Sequence, residues 1–402
     1  MSKIDNMIAK LCPNGVEYKT LGDVSKINRG VRVTRDMLAT DGKIPVYQNA
    51  LTPLGYFDKS NRKAYSVYLI GAGAAGKIGF SDIEFWAADD CYTFDDLNQI
   101  DDKFLYYFLQ TQQNYIDTRV RKGSIPRISR DVFEKIKVPV PPLEVQREIV
   151  QILDSFTMLT AELTAELTAR RKQYEYYRDA LLSFGKVSPP LTFGLNNEEV
   201  RWMTLGEICK NVCSGGTPNT SHSDYYGGDI PWLRTQEVDW KDIQDTEVKI
   251  TKKGVENSSA KWIPANCVIV AMYGATAAKV AINKIPLTTN QACCNLEVNP
   301  QIASYRYVFH WLCNNYQNLK SLGQGSQSNI NAGTVKSFKI PVPSLAMQEK
   351  IANVLDNFDA ICSDLNIGLP AEIELRKKQY EYYRDRLLTF NTNVNNSIHG
   401  GG

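Results

Sequence analysis

Lys172-Gln-Tyr-Glu-Tyr-Tyr-Arg-Asp-Ala-Leu-Leu-Ser-Phe184 returns near the C-terminus as Lys378-Gln-Tyr-Glu-Tyr-Tyr-Arg-Asp-Arg-Leu-Leu-Thr-Phe390. Ahead of each copy stands a second repeated phrase, Lys137-Val-Pro-Val-Pro-Pro-Leu-Glu-Val-Gln146 and Lys339-Ile-Pro-Val-Pro-Ser-Leu-Ala-Met-Gln348. An internal repeat fixes the architecture before any local reading does. Here it marks out two long segments of one design, each running from a proline-rich opening to an aromatic close.

The segments read as helices. With Ile149 at position a of a heptad, the a positions are Ile149, Phe156, Leu163, Arg170, Tyr177 and Phe184, and the d positions are Leu153, Thr160, Leu167, Tyr174 and Leu181. All but Arg170 and Thr160 are apolar or aromatic, a seam that asks for a partner helix. Pro141 and Pro142 precede the run and Gly185 follows it, where helices start and stop. About 42 residues at about 1.5 Å each span roughly 60 Å, too long for an ordinary globular helix. The second copy supplies the opposing stripe: Ile351, Leu355, Phe358 and Leu365, then Tyr380, Tyr383, Leu387 and Phe390. Phe156 to Lys172 is 16 positions and Phe358 to Lys378 is 20, a four-residue stutter. Gly368 and Pro370 fall inside the insertion, so a kink or break is expected there. The first copy instead contains a tandem, Thr160-Ala-Glu-Leu163 and Thr164-Ala-Glu-Leu167.

Two globules precede the two helices. Val16-Glu-Tyr-Lys-Thr-Leu-Gly-Asp-Val24 opens the first and reads as a strand, followed by strand-like runs at 43–47, 64–70 and 83–86 and a helical patch at Lys103–Leu109. Val200-Arg-Trp-Met-Thr-Leu-Gly-Glu-Ile208 repeats the opening at an offset of 184, and Asp229-Ile-Pro-Trp-Leu233 repeats the second strand. Gly325–Ile330 falls opposite Gly123–Ile128. The frames agree and the interiors diverge, as expected of two sites of one kind tuned to different ligands.

Composition narrows the ligands. The 402 residues imply more than one domain, and a net charge of +2 leaves local clustering to carry any nucleic-acid argument. No apolar run is long enough to cross a bilayer, and the N-terminus lacks a signal-peptide core, so a cytoplasmic location is expected. Nine scattered cysteines with three histidines read as reduced thiols; no metal site is expected. Cations gather in the turns of the first globule: Arg29, Arg32 and Arg35; Lys59, Arg62 and Lys63; Arg119, Arg121, Lys122, Ser124 and Arg127. The second offers Ser214, Thr217 and Asn219; Arg234, Thr235 and Gln236; Lys252 and Lys253; Asn290 and Gln291; then Gln324, Ser326, Gln327, Ser328 and Asn329. Lys and Arg suit phosphates, while Arg, Gln and Asn pair with base edges. Any single one of these residues is more simply a solvated surface side chain, and only their recurrence in corresponding loops makes the group a candidate.

Gly71-Ala-Gly-Ala-Ala-Gly-Lys77 fits both dinucleotide and P-loop patterns. Ile78 stands where a P-loop places Ser or Thr, a strand rather than a helix follows, and the other copy reads Tyr273-Gly-Ala-Thr-Ala-Ala-Lys-Val280. A glycine-rich hairpin turn is the better reading, with Lys77 and Lys279 free to meet a DNA phosphate.

Taken together, the paired Thr-Leu-Gly openings at Thr20 and Thr204, the Pro-Val-Pro-x-Leu-x-x-Gln phrases, the Lys-Gln-Tyr-Glu-Tyr-Tyr-Arg-Asp closes and the Thr-Ala-Glu-Leu tandem resemble the specificity subunit of a type I restriction-modification system over nearly the full length. The resemblance implies an α+β chain: two pseudo-repeated target-recognition domains, mostly β with flanking helices, separated by two long helices forming an antiparallel coiled coil. Its expected divisions are an N-terminal helical segment (1–15), target-recognition domain 1 (16–141), a central spacer helix (142–184), a linker (185–199), target-recognition domain 2 (200–342), a C-terminal spacer helix (343–390) and a disordered tail (391–402). Each globule would read half of a bipartite double-stranded DNA site, and the coiled coil would set the gap. Implied partners are two methyltransferase subunits and restriction/translocase subunits. No catalytic residue is expected, nor any cofactor on this chain; S-adenosylmethionine, ATP and Mg would belong to the partners.

The candidate DNA contacts are Arg29, Arg32, Arg35, Lys59, Arg62, Lys77, Arg121, Lys122, Ser124, Arg127, Thr217, Asn219, Arg234, Gln236, Lys279, Gln324, Ser326, Gln327 and Asn329. The candidate coiled-coil seam is Ile149, Leu153, Phe156, Leu163, Leu167, Tyr174, Tyr177, Leu181, Ile351, Leu355, Phe358, Tyr380, Tyr383 and Leu387. Two other classes stay open on sequence grounds: a coiled-coil scaffold joining protein- or carbohydrate-binding globules, and a nucleotide-using enzyme at Gly71–Lys77.

Overall fold

The structure, a computed structural model, describes residues 3–184, 200–324 and 329–390. The expected linker and tail, with Ser326 and Gln327, lie outside them. Helices of nine residues or more among the described residues are α1 (Lys3–Leu11), α2 (Asp102–Thr111), α3 (Leu143–Leu181), α4 (Tyr305–Asn314), α5 (Leu345–Ser363) and α6 (Leu369–Leu387). None is long and apolar enough to cross a membrane. The chain divides into two compact units, Met1–Thr164 with Glu372–Gly402, and Ala165–Ala371. The 39-residue α3 contributes its first half to one and its second half to the other.

In the first unit a four-stranded antiparallel sheet runs in the order Lys26–Arg29, Cys91–Asp95, Ser66–Ile70, Ile78–Ser81. A second sheet has Ile44–Tyr47 between Gly55–Phe57 and Trp86–Ala87, the latter parallel to it. The second unit repeats this plan. Its larger sheet runs Cys209–Ser214, Cys293–Val298, Val268–Ala271, Val280–Asn283, with Asp242–Ile243 added at the edge, and Tyr226–Leu233 pairs in parallel with Leu287–Thr289. Helices α2 and α4 pack one apolar face into the core of their own globule. Phe104, Leu105 and Leu109 in one, and Tyr307, Val308 and Leu312 in the other, are inaccessible to solvent.

The repeated Thr-Leu-Gly phrase corrects the sequence reading. Only Tyr18–Thr20 is strand; Leu21–Val24 is a helical turn capped reciprocally by Thr20 and Asp23, with Asp23 N donating to Thr20 Oγ1 at 3.2 Å and Thr20 N to Asp23 Oδ2 at 3.1 Å. Thr204 and Glu207 do the same in the second copy. Ser or Thr followed three residues later by an acid marks such a cap. The hydrogen bonds hold both the Asp23 and Glu207 carboxyls below their ordinary range. Leu21 and Leu205 enter the core, and the following glycine admits a neighbour: a Cβ on Gly22 would lie 2.8 Å from Glu134 Cγ. The strand before each cap pairs antiparallel with the Pro-Val-Pro strand, Tyr18–Thr20 with Lys137–Pro139 and Arg201–Thr204 with Lys339–Val342. Each globule therefore begins and ends on adjacent strands.

Both units show long helices packed in pairs. In the first, Ile149 and Leu153 of α3 are fully buried and share a core with Leu388 and Phe390, and Phe156 stacks on Tyr383 with ring centroids 5.3 Å apart. Tyr380 meets Tyr107 edge-on, and Leu387 is half-buried. In the second, Phe358 receives Tyr177 at 5.4 Å and Tyr174 at 6.3 Å, while Leu181 lies against Met347, Ile351 and Val354. Falling numbers on α3 meet rising numbers on α5, so the pair is antiparallel. Leu355 is fully buried, and Leu163 and Leu167 are half-buried.

Leu365 departs from the expected stripe. It is 76% exposed, and Ile367 is 82% exposed, because the helix stops at Ser363 and resumes at Leu369. Asp364 Oδ1 accepts from the backbone N of Asn366 and Ile367, which turns the chain out of the helical path. Gly368 ends the turn where a Cβ would lie 2.6 Å from the Ala360 carbonyl. The break falls at the Gly368/Pro370 stutter.

Candidate nucleic-acid interface

The glycine-rich segment is a hairpin turn. Ser66–Ile70 and Ile78–Ser81 pair antiparallel, and Gly76 N donates to Ile70 O at 2.7 Å. Gly73 and Gly76 take φ of +84° and +82°. Gly274 and Ala278 hold the corresponding places with φ of +77° and +69°, so the left-handed turn persists where the glycine pattern does not. These glycines therefore serve a turn, not a phosphate cradle.

Around this turn the fold gathers four further segments. Gly71 N donates to Asp90 O, Ala74 N to Asn49 O, Gly73 N to Pro126 O, and Ile128 N to Gly71 O. Val31 N donates to Ala87 O, which brings in the Arg29–Arg35 loop, and Arg29 Nε donates to Asp89 O at 2.5 Å. Arg121 and Arg127 pair through both backbone groups, so Lys122, Ser124 and the exposed Ile125 form the tip of a small hairpin.

The second unit assembles the same five segments. Met272 N donates to Ala292 O, Ile330 N to Met272 O, Gly216 N to Thr289 O, and Asn290 N to Leu233 O; Gln324 and Asn329 close the matching hairpin. Asn329 Oδ1 also accepts from Gly274 N at 3.1 Å. Thr217 Oγ1 donates to Gln291 Oε1.

These backbone bonds align the two surfaces residue by residue. Arg32 stands where the other has Thr217, Asp89 where it has Gln291, Gln48 where it has Arg234, and Arg127 where it has Asn329. The first surface is charged in both senses; the second is mostly amide and hydroxyl. Asn49 and Asp89 escape a sequence reading, since only the nonlocal hydrogen bonds to residues 29 and 74 place them at the turn.

Not every candidate side chain is free. Arg32, Arg35, Lys59, Lys122 and Arg127 are exposed and make no ion pair with a described carboxylate; Arg121, Ser124, Asn219, Gln236 and Gln324 are also exposed. Arg62 is engaged inside its globule, donating to Thr93 Oγ1 and Asn61 O at 2.6 Å each. Lys77 pairs with Asp117 at 3.1 Å, Lys279 with Asp239 at 2.7 Å, and Arg234 with Glu247 at 2.9 Å. These four sit beside the surfaces with their charge already matched.

Two frames of one construction, presenting different polar sets at matching turns and carried on paired long helices, define a protein built to recognise two related ligands. The chain belongs to the type I restriction-modification DNA specificity family: the domain of that description matches residues 13–170 and 197–375. It is 39% identical over 303 residues to the EcoR124I/EcoR124II type I restriction enzyme specificity subunit of Escherichia coli, covering 72% of this chain and 70% of that one. In fold it matches the type I restriction-modification S subunit from M. genitalium, with a TM-score of 0.61 at 19% identity over 93% of this chain and 95% of that one. The HsdS subunit from Thermoanaerobacter tengcongensis matches with a TM-score of 0.51 at 17% identity, over 94% and 97%. The chain is thus a sequence-specific DNA-recognition subunit of a type I restriction-modification system.

Proposed function

We propose that each globule reads one half of a split DNA site through the five-segment surface around its hairpin turn, and that the paired helices set the gap between the halves. The observation that carries this reading is the backbone scaffold that the two units share, with its exchanged side chains. Arg32, Arg35, Lys59, Arg121, Lys122 and Arg127 supply phosphate neutralisation in the first globule, and Arg29, Ser124, Asn49 and Asp89 stand nearer the turn. In the second, Thr217, Asn219, Gln236, Gln324 and Asn329 offer neutral donors and acceptors, so base-edge hydrogen bonds contribute more there. A good bidentate pair discriminates by about 1–3 kcal/mol. The already paired Arg62, Lys77, Arg234 and Lys279 orient the surface.

The chain performs no reaction in this reading. Methylation and cleavage fall to partners, which bring S-adenosylmethionine, ATP and Mg, and the whole acts in the cytoplasm. Two methyltransferase subunits dock on the long helices, with restriction/translocase subunits completing the assembly. The duplicated octapeptide supports two copies of one partner: Tyr176 and Tyr382 are 54% and 60% exposed, and Lys172, Glu175 and Asp179 are exposed like their counterparts Lys378, Glu381 and Asp385. The test is to replace residues 16–141 with the first globule of another family member, co-express the methyltransferase, and map methylated sites. One half-site should change and the other should stay; a change in both, or in neither, refutes independent reading.

A further inference from the structure

Each long helix shares an apolar core with its globule, through Ile149 and Leu153 in the first unit and Ile351 and Leu355 in the second, and polar side chains tie the two together at the same two points. The first is a buried glutamine. Gln146 accepts from Asp101 N at 2.8 Å and donates to Gln99 O and Pro141 O at 2.8 and 2.7 Å. Gln348 accepts from Ser304 N at 2.9 Å and donates to Ile302 O and Pro343 O at 3.1 and 2.9 Å. The second point lies eight residues further along the helix, where each copy carries an aspartate. Asp154 receives Lys103 Nζ at 2.9 Å and the Tyr107 hydroxyl at 2.5 Å. Asp356 receives Arg306 Nε at 3.0 Å and His310 Nε2 at 2.6 Å, and Arg306 reaches on to Asp242 at 3.0 Å.

Lys103 and Tyr107 on α2 hold the positions that Arg306 and His310 hold on α4. Both donors differ between the copies and the acceptor does not. A half-exposed lysine pair such as Lys103–Asp154 would by itself be worth little. Tyr107 and His310, however, are each only 2% exposed, so each aspartate satisfies a donor that has no water to turn to. Burial and then the bond to Asp154 raise the Tyr107 phenol, which stays a donor. Burial alone would raise the Asp356 carboxyl, but hydrogen bonds from His310 and Arg306 bring it below its ordinary range.

Apolar packing is non-directional, whereas two polar ties fix a direction. Eight residues of helix separate the points by about 12 Å. A slip of about 1 Å at the aspartate therefore turns the globule by about 5°, and across the roughly 30 Å reach of a domain this size it moves the far edge by about 2.5 Å, against a base step of about 3.4 Å. We propose that Asp154 and Asp356 are positioning residues that fix the angle of each globule on its helix and so confine the system to one gap length between half-sites. The inference rests on the split-site reading given above.

The test is a methylation map of the D356N and D154N variants, each co-expressed with the methyltransferase on a DNA library in which the gap varies by single base pairs. At unchanged half-sites, gaps one base pair shorter or longer should rise about tenfold relative to the wild-type chain, the equivalent of about 1.4 kcal/mol of restraint. A double variant, R306K with H310Y, gives the second unit the first unit's donors and should keep the single gap. Loss of methylation rate or thermal stability with the gap profile unmoved would show a merely structural role and overturn the proposal. Asp154 is the more open of the two in its setting, so D154N decides the matter on the same two outcomes if D356N does not accumulate. A wild-type map without a constant gap would overturn the split-site reading itself, whereas a constant gap in both wild type and variants overturns the clamp alone.

Discussion

Deleting Thr164–Leu167 should shorten the recognised gap by one or two base pairs and leave both half-sites as they are. Four residues of helix are about 6 Å, against about 3.4 Å per base step. They are also close to one full turn, so the seam returns to nearly the same face. The deletion falls where the first unit ends and the second begins, and it spares the Phe156–Tyr383 stack and the Tyr174/Tyr177–Phe358 cluster. The local cost is small: an exposed Arg170–Glu166 pair worth about 0.5 kcal/mol and a half-buried leucine worth about 1 kcal/mol. The second helical copy has slack of its own at residues 364–368, where Leu365 and Ile367 are exposed rather than packed. The assay is sequencing of methylated sites from cells co-expressing the partner methyltransferase. A changed half-site with an unchanged gap would refute the geometry, and a duplicated Thr-Ala-Glu-Leu unit should lengthen the gap by the same amount.

Three further outcomes are expected. R121A and R127A should each lower the slope of log K against log salt by about 0.9 for duplex binding by the assembled complex; an unchanged slope removes that residue from the phosphate-contacting set. G76A should destabilise the first unit by about 2–3 kcal/mol in urea melts, since it sets a side chain at φ +82° and 2.7 Å from Ile116 Cγ2; a neutral result would mean that the turn relaxes. Q348A should cost about 2–4 kcal/mol, because it strands the Ser304 amide and two carbonyls in a buried site; a loss under 1 kcal/mol would mean that water takes the place of the amide.

The helices and the twofold plan were legible because their signals are local and repeated. A heptad seam, proline openings and a Gly-Pro stutter each state their structure within a few residues. Thr20–Asp23 was equally legible as a capping box, but a run of alternating apolar residues hid it and it reads as strand. Leu365 fits the heptad by count and fails by geometry, because Asp364 captures the two following amides and the helix ends. The reading surfaces were only half visible. Charge in loops marks Arg32, Lys122 and Arg127, yet nothing in sequence separates them from Arg62 or Arg234, which the folded chain pairs internally. Asn49, Asp89, Asp154 and Asp356 acquire meaning only from partners far along the chain, so no window of sequence contains their role.

The side-by-side strands at which each globule begins and ends bear on how such a protein can be inherited. Whatever lies between Thr20 and Lys137, or between Thr204 and Lys339, is inserted into a doorway whose two posts are bonded to each other. A new interior fits if it keeps the posts and the side chains that meet the helix at Gln146 and Asp154, or at Gln348 and Asp356. Exchange of the interior between the posts would deliver a new specificity in an intact frame, without the slow remaking of a binding surface by point mutation.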